Sequence, residues 1–241
     1  MTVIKSRKPS SVGSLSYEKP NRKYNVMARL LCFSSPQVGF LLLFTPTLIL
    51  AGIYAKYFGL SLVELAAITL LARIFDAVTD PLVGYWSDRV RERTGSRKVF
   101  ILAGGLMLAP LSYFLYVPLG IEAGAEKGVS LLYFASLYIG FYWAYTLFQV
   151  PYFAWANEFT EDGSEKIQVF TIMNVMMNVG TLIFYSVPFL SYFATTDVTP
   201  EVLRLTTELG IILFMIGLVV AFRYVPCGPT LAAGREGSVA F

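Results

Sequence analysis

Long apolar runs dominate this 241-residue chain, separated by short polar segments. Crossing a bilayer as a helix takes about 20 apolar residues. Six runs reach that length, at about Arg29–Tyr57, Ser61–Trp86, Val99–Leu119, Val129–Ala156, Ile167–Phe193 and Val202–Tyr224. The polar residues inside these runs follow helical spacing. In span 2, Arg73, Asp76 and Asp80 fall at i, i+3 and i+7. Span 4 places Tyr138, Tyr142, Tyr145, Gln149 and Tyr152 on one face, and span 5 does the same with Thr171, Asn174, Asn178, Thr181 and Tyr185. Span 1 holds Ser34, Ser35, Pro36, Gln37, Gly39, Thr45, Pro46 and Thr47. That set fits a broken or bent helix beside a cavity, or an ordinary span whose small polar residues pack on neighbours. Spans 3 and 6 carry almost no polar side chains and read as outer, lipid-facing helices. The pattern predicts an all-α integral membrane protein, a six-helix bundle of two triplets (3+3) around a water-filled site, although no clear sequence repeat relates the triplets.

Composition agrees. The chain is 56% hydrophobic, with mean hydropathy +0.61 and 15% charged residues, against roughly 25% charged in soluble domains. The expected partner is therefore the lipid bilayer. The net charge of +3 is no sign of nucleic-acid binding, because the basic residues follow topology. Fifteen of the 19 fall on one side of the six-span scheme, leaving Lys56, Lys127 and Arg204 opposite and Arg73 inside span 2. Both termini are thus expected in the cytoplasm. Residues 1–27 read as a basic cytoplasmic arm without a signal peptide, 28–224 as the bundle, and 225–241 as a cytoplasmic tail or the start of a linker. Cys32 and Cys227 form no pattern, and histidine is absent. Neither a cofactor nor a transition-metal site follows.

An ionisable side chain near a bilayer centre costs about 2.5–3.5 kcal/mol on insertion scales, so three on one face imply protein or water beside them. Asp76 and Asp80 are one turn apart and Thr79 adds a hydroxyl. An all-oxygen set of this kind suits a hard monovalent cation. Two carboxylates in one small volume also compete for charge, so a proton can take the cation's place. Arg73 either holds an acid in place or repels a second cation. A purely structural Arg–Asp network between helices is the other reading. The span 4 tyrosines offer ring faces and hydroxyls to a sugar-like ligand, or simply pack. The basic segment SDRVRERTGSRK is expected as a loop between spans 2 and 3. Positive-inside topology alone accounts for it, while Gly84, Asp88 and Arg89 raise a gating role.

Two segments, ARIFDAVTDPLVGYWSDR and PYFAWANEFTEDGSEK, resemble the glycoside–pentoside–hexuronide:cation symporters, the melibiose-permease-like branch of the major facilitator superfamily. Gly84, Asp88, Arg89, Gly95, Arg97 and Lys98 resemble that superfamily's signature loop. The resemblance implies a Na⁺, Li⁺ or H⁺ site at Asp76 and Asp80, helped by Thr146, with Thr79 where many relatives carry Asn. It departs at the sugar site: Gln149 stands where melibiose-type members have an acid, and Asn174 where they have an arginine. No Asp or Glu occurs from Pro20 to Val63, so their span 1 acid has no counterpart. Gln149 and Asn174 can still hydrogen-bond a neutral polyol or glycoside, with Tyr142, Tyr145, Tyr152 and Arg73 completing the expected solute set. Such symporters have twelve spans, so this chain is expected to be an N-terminal half or fragment. Its partner would be a C-terminal six-helix half or a second copy, in the plasma membrane and specifically a bacterial inner membrane. Cation-coupled symport of a small-molecule solute, a sugar or glycoside, is the leading expectation. A non-transporting sensor or assembly protein on a transporter-like scaffold is the alternative, and an intramembrane protease built on the two acids is the weakest.

Overall fold

The computed structural model describes residues 26–118, 129–160, 162–193 and 196–226. The expectations for residues 1–25, the loop at 120–128 and residues 227–241 lie outside the described residues. Among the described residues the fold is entirely helical. Span 1 is built from three pieces, α1 (Val26–Ser34), α2 (Pro36–Phe44) and α3 (Leu50–Phe58), with a 3-10 turn at Thr45–Leu48. Prolines account for both breaks. Pro36 and Pro46 lack the N–H that a continuous helix would use, and Ser35, Thr45 and Thr47 satisfy nearby carbonyls instead. Of the two readings the span 1 pattern leaves open, the structure shows the broken helix.

The helix α4 (Leu62–Thr94) is longer than expected. Its 33 residues extend about 50 Å at 1.5 Å per residue. The segment expected as a loop after Trp86 is therefore mostly helix. Arg91 and Arg93 lie in its last turn, where positive charge opposes the helix dipole. Gly95 ends it, in the left-handed conformation at φ 74° that glycine adopts without strain. The fold continues with α5 (Lys98–Tyr116), α6 (Leu131–Phe159), α7 (Gly163–Ser186) and α8 (Pro200–Tyr224). Five described segments are long and apolar enough to cross a membrane: Val26–Leu48, Lys98–Tyr116, Leu131–Phe159, Gly163–Phe189 and Pro200–Tyr224. The sixth expected span, α4, is long enough but carries Glu64, Arg73, Asp76 and Asp80.

The helices α5 and α8 form a back layer, packed on α6 and α2 respectively and on each other. Small residues allow the close approach. A side chain at Gly39 would run into the backbone of Phe214, one at Gly217 into Pro36, and one at Gly104 into the backbone of Phe148. In contrast, rings fill the seam between α6 and the α1–α2 segment and the contact of α6 with α8. Phe33 stacks on Tyr152 at 4.5 Å and Phe40 on Tyr145 at 5.5 Å, while Phe148 meets Phe214 edge-on at 4.9 Å. The remaining helices flank this seam, α4 against α6 and α7 against α1 and α2.

Candidate functional site

The acidic face of α4 meets α6 at one defined point. The Thr146 hydroxyl, fully buried, donates to Asp76 Oδ1 at 2.7 Å. One turn on, Asp80 is half-buried, and its Oδ1 is enclosed without a hydrogen-bond partner. Pro81 follows directly and cannot donate to the Ala77 carbonyl, which leaves one more oxygen short of its helical bond beside the two acids. The Thr79 hydroxyl donates to the Asp76 carbonyl at 3.2 Å. An enclosed, unpartnered carboxylate oxygen beside a second carboxylate is a donor set that fits a small hard cation. Among the described residues no group of three or more His, Cys, Asp or Glu side chains is placed to hold a metal ion.

Arg73 lies within electrostatic reach of Asp76, yet its guanidinium sits over the Tyr142 ring, 4.8 Å from the centroid. It also lines an open cleft of about 400 Å³ with Thr47, Thr69 and Tyr138, between the 3-10 turn of span 1 and α4. The tyrosine stripe divides by environment. Tyr142 is buried beneath Arg73, and Tyr145 is half-buried against Phe40 and Phe44. Tyr152 is fully buried, stacked between Phe33 and Phe148, and its hydroxyl donates to the Phe33 carbonyl, so it is engaged in packing. On α7, Asn174 and Asn178 are exposed, each amide donating back to the carbonyl one turn earlier. These polar faces on α4 and α7 border the seam from either side. Gln149 is 3% exposed, with its Oε1 unpartnered. Gln37 on α2, one of the span 1 polar set but given no site role by the sequence, is 0% exposed with both amide atoms unpartnered.

The residues expected to gate lie at the basic end of the bundle. Gly84, Asp88 and Arg89 belong to α4 rather than to a loop, because that helix runs on to Thr94. Arg97, 8% exposed, pairs with Asp88, donates to Ser87 Oγ at 2.7 Å, and reaches Glu158 at 2.5 Å. Arg91 meets the other oxygen of Glu158 at 3.0 Å. Glu158 therefore ties α6 to α4 and to the start of α5, and spacing gave no sign of that role. Arg89 bonds only locally, to the Tyr85 hydroxyl at 2.6 Å. Lys98 caps the end of α8, donating to the carbonyls of Phe222 and Val225.

With this geometry in hand, comparison with known proteins is decisive for the family. A family model described as MFS/sugar transport protein matches residues 32–226. The chain belongs to the MFS/sugar transport family. It is 26% identical over 172 residues to "Uncharacterized symporter YnaJ" of Bacillus subtilis, covering 71% of this chain and 36% of that protein. It is 32% identical over 118 residues to "Putative glycoside/cation symporter YagG" of Escherichia coli, covering 49% and 25%. A mouse relative, "Major facilitator superfamily domain-containing protein 12", is 26% identical over 123 residues, covering 50% and 26%. The chain thus spans well under half the length of the curated relatives it matches. The first two are named as symporters and the matching family as a transport family, which sets aside the protease reading of the two acids. This MFS chain is a multi-pass membrane protein.

Proposed function

We propose that the chain forms the cation-binding half of a symporter that couples Na⁺, Li⁺ or H⁺ to uptake of a hydroxylated solute, a sugar or glycoside. The observation that carries this is the Asp76–Asp80 pair, one acid oriented by Thr146 and the other holding an enclosed oxygen with no partner. A cation there supplies the missing contact. Its charge also offsets the second carboxylate, which is otherwise costly at that depth. Gln149 and Tyr145 on α6, Asn174 on α7 and Arg73 on α4 would hold the solute. The exposed polar faces of α4 and α7 need covering in a membrane, so the complete protein places a second six-helix half, or a second copy, against them. Cation and solute then stabilise one occluded arrangement of the two halves. The Asp88–Arg97–Glu158 cluster holds α4, α5 and α6 together as one body at the basic end, which we assign to the cytoplasm of a bacterial inner membrane. Replacing Asp80 with Asn in the complete transporter should abolish cation-stimulated uptake into proteoliposomes. Stimulation of wild-type size in D80N would refute the assignment.

A further inference from the structure

We propose that Gln37 is a solute-binding, specificity-determining residue, pairing with Gln149 to hold a neutral hydroxyl group of the transported solute. The inference rests on the symporter reading and adds to it a residue on span 1. Buried amides are almost always hydrogen-bonded, because an unmet donor or acceptor loses its water contacts for nothing. Gln37 is fully enclosed, and neither its Oε1 nor its Nε2 has a partner. Gln149 Oε1 is in the same condition.

The two belong to one place. Phe40 meets Tyr145 at 5.5 Å and Phe148 at 5.1 Å, and Phe33 meets Tyr152 at 4.5 Å. Residue numbers rise along α1 and α2 as they fall along α6, so this span runs antiparallel to α6 and Gln37 lies at the level of Phe148 and Gln149. At 3.6 residues per turn, Gln37 stands about 60° round α2 from Phe40, and Gln149 about 40° round α6 from Tyr145, in the same rotational sense. On antiparallel helices that sense leads to the same side of the seam. Further round in that sense, Thr146 meets Asp76 of α4, and Val38 and Leu41 meet Gly180 of α7. Both amides therefore turn toward the wedge between α4 and α7, on the side of the cation site.

The chemistry of the guest follows from the atoms. Two carbonyl-type oxygens repel a carboxylate, and an amide NH₂ repels a cation. A hydroxyl donates one hydrogen bond and accepts others, so it satisfies both amides at once, and a neutral polyol or glycoside supplies it. Water is the other source of the same chemistry, and the experiment separates them.

The complete transporter, reconstituted in proteoliposomes, would be assayed for uptake and thermal protection with methyl glucoside, methyl galactoside, methyl xyloside and mannitol under a Na⁺ or proton gradient. Gln37→Met keeps the side-chain length and removes both hydrogen-bonding atoms. The half-saturation concentration of the best probe should rise about tenfold or more. Thermal stability without solute should hold or increase, and the cation response should persist. Gln37→Asn, which withdraws the amide by one methylene, should change the ranking of the probes. Loss of thermal stability in Q37M, with half-saturation and ranking intact, would mean that a fixed water serves the amides, and would overturn the proposal. So would failure of every probe to bind while the cation response is present; that outcome leaves the cation site standing. Conversely, Gln37-dependent binding with no cation response in the wild type would sink the coupling and keep the proposal.

Discussion

Replacing Thr146 with Val should weaken the proposed cation site without loosening the fold around it. Valine fills nearly the same volume, and Thr146 is fully buried on α6. The substitution removes one interaction, the 2.7 Å hydrogen bond to Asp76 Oδ1. A hydrogen bond to a charged acceptor is worth about 1.5–3 kcal/mol. Asp76 is half-buried, so solvent takes back part of this and the lower end applies. Each 1.4 kcal/mol is about tenfold in affinity, so the cation Kd should rise about tenfold. The assay is thermal unfolding of the complete protein against Na⁺, Li⁺ and pH. At a cation concentration of 100 Kd the wild type gains about 2.7 kcal/mol, and a tenfold weaker variant gains about 1.4 kcal/mol at the same concentration. Thr146→Ser, which keeps the hydroxyl, should recover most of the response. An unmoved midpoint in T146V would refute the role given to this bond. An equal loss of stability with and without cation would do the same, since the bond would then serve only helix packing.

Other outcomes test the scaffold. Gly39→Ala drives a methyl group into the backbone of Phe214 and the Gly210 carbonyl; forced overpacking costs about 1–3 kcal/mol, so unfolding in detergent should shift clearly downward. Gly52→Ala meets nothing within 4 Å and should be neutral or stabilising by about 0.4–1 kcal/mol. Glu158→Gln leaves Arg97, 8% exposed, with only the more exposed Asp88 as an acidic partner. Breaking one side of a buried pair costs about 3–5 kcal/mol. E158Q should therefore lower thermal stability by an amount approaching that range and open the Ser87–Lys98 segment to proteolysis; unchanged protection there would count against a rigid α4–α5–α6 unit.

Membrane embedding and the polar stripes followed from the sequence alone, because a bilayer permits few solutions. Every backbone group must be satisfied inside a helix, and each polar face must find protein or water. For that reason Arg73, Asp76 and Asp80 could be placed on one face, and the prolines of span 1 could be read as breaks. The end of α4 could not, because solvated charged residues such as those of Arg89–Arg93 are equally compatible with loop and helix; capping at Gly95 and the bridge from Arg91 to Glu158 decide it. The tyrosines of α6 share a face in any helix, but only packing distinguishes Tyr152, bonded to the Phe33 carbonyl, from Tyr145 at the edge of the seam. Spacing likewise could not bring Thr146 to Asp76, 70 residues away, or set Gln37 level with Gln149. Periodicity orders side chains within one helix, whereas the rotation and level of one helix against another are set by glycine contacts and stacked rings that exist only once the bundle has formed.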